Sequence, residues 1–317
     1  MASLPGPDTS PVVVTGASGF IGRALVRHLH AQARAVTAVA RHAWAAPAGV
    51  RQVTVTGYED ATALEGAFTG AGCVLHLAAL AHRAGSAGEF DASVRAAGAV
   101  VAAARAAGVR RLVFLSSIGV NGHRTEGRPF TEQDPPHPVE AYARSKLQAE
   151  QAVIAGCRGA AMDYVIVRPP LVVGPDAPGN FGRLVRLVRR GWPLPLGAVR
   201  NARSFIALDN LVDLLALCVA HPAAANQLLL AADAEELSTP ELVRCIAAGL
   251  AVPARLLPVP PGWLRLGARL LGRERLADSL CASLQVDASR ARRLLGWRPP
   301  VAAAEAVRRA ARASRTP

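Results

Sequence analysis

Three glycines separate the first apolar run of this chain from the segment that follows it. The stretch VVVTGASGFIG places Gly16, Gly19 and Gly22 directly after the β-branched residues 12–15. Between a strand and a helix, such glycines permit a tight turn, admit a pyrophosphate to the backbone and let the helix pack closely on the strand. The spacing therefore predicts a dinucleotide-binding loop at residues 16–22.

Short β-branched runs alternate with alanine-rich segments over the first 170 residues. This alternation predicts an α/β fold with a Rossmann-type, doubly wound parallel sheet. The predicted strands are 12–15, 35–40, 51–55, 73–77, 111–115 and 163–168. The predicted helices lie near 19–32, 60–68, 89–107 and 140–156.

Beyond residue 168 the alternation gives way to loops rich in proline and glycine and to shorter predicted helices. We interpret residues 11–170 as a NAD(P)-binding domain and residues 171–317 as a smaller, mainly C-terminal substrate-binding subdomain that can return a strand or helix to the first. In such folds, ligands bind at the carboxyl ends of the strands. Asp287 and Gly296 are predicted to bound one of the last helices.

Composition narrows the class of protein. The net charge is +13, but the arginines are spread along the chain rather than clustered with aromatic residues, so we do not expect nucleic-acid binding. The five cysteines show no metal-ligand spacing, so no metal is expected. No secretory signal and no apolar stretch of about 20 residues is visible, which predicts a cytoplasmic protein without membrane insertion. Three tryptophans near turns, Trp192, Trp263 and Trp297, are expected to fill gaps in the core.

The residue after the second predicted strand bears on the choice of dinucleotide. An acid at this position commonly binds the ribose hydroxyls of NAD, whereas this chain has Arg41. A guanidinium can pair with a 2′-phosphate. The sequence thus favours NADP(H) and leaves NAD(H) possible.

The only lysine of the chain, Lys146, stands four residues after Tyr142 in a predicted helix, so both side chains project from one face. A nearby cation lowers the pKa of a tyrosine phenol, which is otherwise near 10. The compact ammonium can also bind ribose hydroxyls. Upstream, Ser116 and Ser117 end the fifth predicted strand, where a hydroxyl could bond the reacting oxygen. These groups predict a proton-transfer site beside the cofactor.

With these features in place, the chain resembles extended short-chain dehydrogenases/reductases of the nucleotide-sugar epimerase/dehydratase group. Within that group it looks most like UDP-N-acetyl-6-deoxyhexosamine 4-ketoreductases and UDP-hexose 4-epimerases. The matching segments are TGASGFIG (15–22), VLHLAA (74–79), FLSSIGVNG (114–122), YARSK (142–146), VRPPLVVGP (167–175), RSFIALDNLVD (203–213) and SLQVDASRARRLLGWRP (283–299).

The resemblance implies roles for individual residues. Tyr142 is then the catalytic acid/base, Lys146 adjusts its pKa and binds ribose, and Ser117 is the second hydrogen-bond donor. Arg203 resembles the arginine that holds a UDP diphosphate, and Asn180 lies where nucleotide-sugar contacts are made. Besides the residues already named, the implied cofactor contacts are Ser18, Phe20, Ile21, Leu77, Ala78, Ala79 and Pro169.

The resemblance also limits the reaction. In 4,6-dehydratases an Asp-Glu pair follows the hydroxyl residue, but this chain has Ile118 and Gly119 there, which disfavours dehydration. Reduction of a UDP-4-keto-6-deoxy-N-acetylhexosamine for surface polysaccharide is ranked first, and 4-epimerisation of a UDP-hexose or UDP-N-acetylhexosamine second. A non-catalytic NADP-binding regulator is a distant third, because such proteins usually lose the tyrosine and lysine.

Four residues depart from the pattern of the resembling group. Tyr58 replaces an acid, Arg95 an asparagine, and Asn121 and Val173 replace tyrosines; these changes concern cofactor affinity and pocket shape.

A homodimer formed through segments 89–107 and 140–156 is usual in the group and is an expectation for this chain.

Overall fold

The fold was determined as a computed structural model that describes residues 10–78, 87–270, 272 and 274–314. A seven-stranded parallel sheet forms its centre, with the strand order β3-β2-β1-β4-β5-β6-β9. The direction of winding reverses between β1 and β4, which places the end of β1 at the position where doubly wound sheets bind dinucleotides. The predicted fold class is confirmed.

The bounds of the elements are as follows. The strands are β1 (Val12–Thr15), β2 (Val36–Ala40), β3 (Arg51–Thr54), β4 (Cys73–His76), β5 (Arg111–Leu115), β6 (Asp163–Arg168), β7 (Leu171–Val173), β8 (Phe205–Ala207) and β9 (Gln227–Leu230). The helices are α1 (Phe20–Ala31), α2 (Ala61–Phe68), α3 (Ala87–Ala106), α4 (Ala141–Cys157), α5 (Asn180–Arg189), α6 (Leu208–Ala220), α7 (Thr239–Leu250), α8 (Pro261–Leu270), α9 (Glu274–Cys281), α10 (Ser289–Leu295) and α11 (Ala303–Ala313). Two short 3₁₀ turns cover Ile118–Val120 and Pro222–Ala224.

Both faces of the sheet are buried, which explains why its strands are continuous apolar runs. Val12 and Val14 of β1 pack with α1 and α6 on one face, while Val13 packs with α2, α3 and α4 on the other. The six predicted strands coincide with β1 to β6 to within about one residue at each end. The strands β7, β8 and β9 were not predicted, because they lie in the half of the chain where loops rich in proline and glycine interrupt the alternation.

The second half of the chain contributes to both parts of the structure. β9 pairs with β6 and completes the seven-stranded sheet, and α6 covers one of its faces. A second core of apolar residues lies between α5, α7 and α11 and the two-stranded sheet β7-β8. The boundary at residue 170 remains a prediction, since the chain crosses back into the large sheet after it.

The two ends of α10 follow local rules. The Asp287 carboxylate accepts the Ser289 amide at 2.8 Å just before α10, and Gly296 ends that helix with a φ of +65°.

Within the described part of the chain, no helix combines the length and the apolar character needed to cross a bilayer.

Candidate active site

The glycine loop after β1 is closed to larger side chains. Gly16 has a left-handed backbone with a φ of +74°, and a β carbon there would lie 2.7 Å from the Ala78 amide nitrogen. A β carbon on Gly22 would lie 2.2 Å from the Gly16 carbonyl oxygen. The start of α1 and the segment after β4 therefore pack so closely against the loop that these two positions admit only glycine.

Helix α1 begins at this loop in a way that suits an anion. Gly19 is its N-cap, no side chain caps the first turn, and that turn contains no acidic residue. The first amides of a helix lack partners within the helix and carry the positive end of its dipole. The loop therefore fits the pyrophosphate of a dinucleotide.

The other implied cofactor contacts lie along the same edge of the sheet. Ser18, Phe20 and Ile21 are half-buried in the loop and the first turn of α1, while Leu77 and Ala78 directly follow β4. Pro169 follows β6, and its carbonyl accepts the amide of Ile118 at 2.9 Å. Ala79 lies outside the described residues.

Tyr58 connects the glycine loop to the end of β2. Its hydroxyl accepts the Gly16 amide at 3.0 Å and donates to the Val39 carbonyl at 3.2 Å. Burial raises the pKa of Tyr58, and the Gly16 hydrogen bond and the charge of Arg41 offset part of that rise. Arg41 is exposed, immediately after β2. The tyrosine thus stands between the glycine loop, predicted to bind the pyrophosphate, and the segment of Arg41, predicted to bind the 2′-phosphate.

Tyr142 and Lys146 share one face of α4, as their spacing predicts. Lys146 is 5% exposed; its ammonium donates to the Leu115 carbonyl at 2.7 Å and lies 4.7 Å from the centre of the Phe114 ring. Burial lowers the pKa of Lys146 to about 8, and Glu150 counteracts part of that shift.

The pKa of Tyr142 moves in the direction opposite to the sequence-based expectation. Burial raises it to about 12, because the phenolate is poorly solvated in the pocket wall. The Lys146 ammonium, which was expected to lower this pKa, is directed at the Leu115 carbonyl instead. Tyr142 is consequently a protonated phenol at neutral pH.

The two serines at the end of β5 point to different sites. Ser117 caps the following 3₁₀ turn, with its oxygen accepting the Gly119 amide at 3.2 Å, and it lines the large cavity described below. Ser116 is buried and donates to the Glu150 carboxylate. Only Ser117 is therefore placed to meet a substrate.

A buried polar network supports this end of the sheet. Arg168 at the end of β6 donates to the Glu150 carboxylate at 2.8 and 2.5 Å and to the Asn121 side-chain oxygen at 2.9 Å. The side chains of Arg168 and Glu150 are 3% and 2% exposed. Asn121 in turn donates to the Thr131 carbonyl at 3.1 Å. The network joins the ends of β5 and β6 to α4 and to the loop after the 3₁₀ turn.

A cavity of about 690 Å³ lies between the sheet and the second half of the chain. Ser117, Tyr142, Asn180 and Arg203 all line it, although they come from four separate segments. Tyr142 also borders a small cleft next to Lys146. At about 10 Å³ that cleft is too small for a cofactor, so the groups that react would have to meet in the large cavity.

The two predicted substrate residues differ in setting. Asn180 is an exposed residue at the first position of α5. Arg203 donates to the Ala282 carbonyl at 2.9 Å, and burial lowers the pKa of its guanidinium from the usual value. A cation held in a largely enclosed wall suits an anionic substrate group.

Sequence reasoning missed the apolar wall of this cavity. The wall is formed by residues from α5, the loop after it, α7, α8 and α9, namely Leu187, Leu194, Leu196, Leu242, Trp263, Leu264 and Leu280. Trp297 is buried as expected, but Trp192 and Trp263 are 58% and 69% exposed and fill no gap in the core. Amphipathic periodicity in α5 and α8 was the available signal, but it does not say which apolar face stays uncovered.

The remaining singled-out residues are structural in their contacts. His76 is buried between Thr15, whose hydroxyl lies 2.7 Å from Nδ1, and the stacked ring of Phe114, and burial lowers its pKa to about 3. Val173 is 1% exposed in the second core. Arg95 forms an exposed ion pair with Glu59 at 2.7 Å.

Comparison with known proteins agrees with this geometry. The NAD dependent epimerase/dehydratase family matches residues 12–229. A UDP-glucose 4-epimerase of Vibrio cholerae is 37% identical over 95% of this chain and 94% of its own length. The chain belongs to the NAD dependent epimerase/dehydratase family. It is an enzyme of the short-chain dehydrogenase/reductase type, as the motifs predicted, and the family description confirms a nicotinamide dinucleotide as cofactor.

Two further proteins illustrate the range of similarity. A dTDP-6-deoxy-L-talose 4-dehydrogenase (NAD(P)+) of Kitasatospora kifunensis is 28% identical over 95% of each chain. The crystal structure of UDP-N-acetylglucosamine 4-epimerase from Bacillus cereus superposes with a TM-score of 0.79, covering 97% of this chain and all of that one. At 18% identity this last similarity concerns the fold alone.

Proposed function

We propose that this enzyme transfers hydride between NAD(P) and C4 of a UDP-linked sugar. The observation that carries the proposal is that Tyr142, Ser117 and Arg203 line the same cavity, although they come from separate segments. A phenol in that wall can exchange a proton with a substrate oxygen inside the cavity, and hydride transfer requires the nicotinamide to lie against the same substrate on that side of Tyr142. When bound, the nicotinamide supplies or accepts the hydride.

In this proposal Tyr142 and Ser117 bond the C4 oxygen, and Lys146 binds the cofactor. The Tyr142 phenol, with a pKa raised to about 12, donates a proton to the oxygen as negative charge develops on it. The Ser117 hydroxyl bonds the same oxygen and stabilises that charge. The Lys146 ammonium binds the ribose hydroxyls and becomes neutral as pH rises through about 8.

The second half of the chain would hold the rest of the substrate. Arg203 is the cation in the cavity wall, and we assign it to the diphosphate of the nucleotide. Asn180 at the start of α5 would contact the sugar or the diphosphate. Replacing Arg203 by leucine should raise KM for the nucleotide sugar while changing kcat less, because a ground-state contact is lost.

Two reactions use this site, and different observations favour them. A C4 dehydrogenase of a deoxysugar is a relative, which favours reduction of a UDP-4-keto-6-deoxy-N-acetylhexosamine, and Arg41 suits the NADPH that reduction consumes. The 37% identity to a UDP-glucose 4-epimerase favours epimerisation, in which hydride leaves C4 and returns to its other face. We keep ketoreduction first and 4-epimerisation as the second candidate.

The cofactor preference is a separate part of the proposal. Arg41, exposed after β2 and close enough to lower the pKa of Tyr58, is assigned to the 2′-phosphate of NADP(H). Replacing Arg41 by alanine should weaken NADPH binding by about tenfold and leave NADH binding nearly unchanged, because one charge-assisted contact is lost. Equal weakening of both cofactors would contradict this assignment.

The decisive assay supplies purified enzyme with a UDP-4-keto-6-deoxy-N-acetylhexosamine and NADPH. Ketoreduction predicts stoichiometric NADPH oxidation. Interconversion of UDP-hexose C4 epimers without net cofactor consumption would instead establish epimerisation. Tyr142→Phe should lower kcat by roughly 10²–10⁴-fold, the usual contribution of a general acid or base. Tyr164→Phe, at the half-buried start of β6, is the matched control and should be near neutral.

Binding and turnover must be measured on the same protein. If the Tyr142→Phe variant binds cofactor normally and retains full turnover, the assigned proton donor is wrong. If the native chain binds NADPH but turns over neither class of UDP-sugar, the non-catalytic regulator becomes the better account.

A further inference from the structure

Helix α8 carries an exposed apolar stripe beside the substrate cavity. Trp263, Leu266 and Leu270 are 69%, 52% and 80% exposed. They occupy positions i, i+3 and i+7, which lie on one side of a helix with 3.6 residues per turn. No residue of α8 is fully buried, so this helix lies on the surface.

The adjacent side of α8 closes the cavity. Leu264, Gly267 and Ala268 are partly buried and line the cavity, and Trp263 belongs to both sides. Arg265 and Arg269 are exposed on the remaining arc of the helix. The helix is therefore amphipathic, with an apolar arc that is only half covered by its own protein.

A second segment, which borders the same cavity as α8, also exposes apolar side chains. The loop after α5 pairs with residues 255–257: the Leu194 amide donates to the Arg255 carbonyl, and the Leu257 amide donates to the Leu194 carbonyl, both at 2.8 Å. This loop carries Trp192, which is 58% exposed, and Leu257 is 48% exposed.

Exposed apolar side chains are concentrated in this region. Seven large ones occur among the described residues, and five of them belong to the two segments just named. We call these five the apolar patch; they are Trp192, Leu257, Trp263, Leu266 and Leu270. Soluble monomers seldom leave such a group uncovered without an interaction to serve.

Exposed arginines flank the patch. Arg190 directly follows α5, and Arg265 and Arg269 lie on α8, while the acidic residues Glu274 and Asp278 lie on the neighbouring helix α9. The guanidinium of Arg190 lies 5.9 Å from the centre of the Trp192 ring. Tryptophan and leucine side chains can lie among the first carbons of the acyl chains of a membrane. Arginines beside them can then pair with the anionic phosphates of the headgroups.

We propose that the apolar patch docks on the surface of a membrane that contains anionic lipids. The stripe of α8 would lie in the interface, with Arg265 and Arg269 at headgroup level. This contact is peripheral, since α8 has only ten residues and does not span a bilayer. Because α8 also lines the substrate cavity, docking places that cavity next to the membrane surface. A protein partner would need acidic residues arranged around an apolar contact surface. A membrane with anionic lipids presents negative headgroups beside an apolar interior at every position.

Vesicle flotation with the purified full chain tests the proposal. Vesicles of phosphatidylcholine with phosphatidylglycerol should retain the protein, and pure phosphatidylcholine should retain far less, because the arginines require anionic headgroups. The double variant L266S/L270S should lose about tenfold or more in partitioning, since two apolar side chains leave the interface. Neither leucine lines the cavity, so turnover of a soluble substrate should stay unchanged.

Matched controls keep the outcome clear. Leu294→Ser changes an exposed leucine on α10, away from the patch, and should float like the native protein. The tryptophan emission of a Trp192→Phe variant should shift to shorter wavelength on anionic vesicles as the Trp263 indole enters the interface, and the shift should be lost when Trp263 is also replaced by Phe, because only Trp44 and Trp297 then remain. Circular dichroism spectra confirm that each variant is folded.

Three results would overturn the proposal. One is equal flotation of L266S/L270S and the native protein. Another is binding that ignores the anionic lipid content of the vesicles. The third is a change in the sedimentation coefficient of L266S/L270S without any vesicle binding by the native protein, which would identify the patch as an interface between copies of this chain. Loss of flotation with turnover intact would leave the proposed C4 chemistry unaffected.

Discussion

Replacing Glu150 by glutamine removes the charge that balances Arg168 in the interior. The carboxylate accepts two guanidinium bonds and the Ser116 hydroxyl, and both charged side chains are at most 3% exposed. A cation left without its partner at such a site costs about 3–5 kcal/mol of unfolding free energy. We expect Glu150→Gln to destabilise the protein by that amount.

The exposed ion pair of Arg95 and Glu59 gives a matched control. Its nitrogen–oxygen distance is 2.7 Å, but its side chains are 60% and 45% exposed. Solvent screens such a pair, so Glu59→Gln should cost about 0–1 kcal/mol. Urea unfolding of both variants, followed by tryptophan fluorescence and by circular dichroism, measures the difference.

A double-mutant cycle separates the pair from the packing around it. Combining Glu150→Leu with Arg168→Met removes both charges and should cost several kcal/mol less than the two single changes added together. If Glu150→Gln is no more destabilising than Glu59→Gln, or if the two single costs simply add, the buried pair does not stabilise this end of the sheet.

Glu150 should also affect catalysis through Lys146. Its carboxylate raises the pKa of Lys146, against the larger lowering by burial. Removing that charge lowers the pKa further, so the ammonium deprotonates at a lower pH. The alkaline limb of the kcat profile should therefore move to lower pH in Glu150→Gln, whereas a purely structural role would reduce the protein's stability and leave the limb in place.

Three further predictions concern the cofactor side of the site. Gly22→Ala forces a β carbon toward the Gly16 carbonyl and should weaken dinucleotide binding about tenfold or more in calorimetry, whereas Gly66→Ala, at an open position of α2, should not. Tyr58→Phe removes one bond from the Gly16 amide and should cost about 1 kcal/mol of cofactor affinity in the same assay, and an unchanged Kd would show that this bond is not needed. Because the pKa of Lys146 is about 8, native activity should fall as pH rises through that value, and a flat profile to pH 10 would contradict the need for the ammonium.

Features that depend on neighbours in the chain were predictable. Local sequence patterns of a few residues predict the glycine loop and strands β1 to β6. The spacing of four residues predicts that Tyr142 and Lys146 share a face of α4. The order of the motifs along the chain then predicted the family, which the family match confirmed.

Features that depend on distant neighbours were decided by the tertiary structure. Ser116 and Ser117 are adjacent in sequence, yet packing against α4 turns one toward Glu150 and leaves the other at the cavity. The direction of the Tyr142 pKa follows from burial, which no spacing of residues expresses. Periodicity marks α8 as amphipathic, but only the packed structure shows that half of its apolar arc is uncovered. The sequence thus determined the elements and their chemistry, and long-range packing decided which side chains face the site, the interior or the surface.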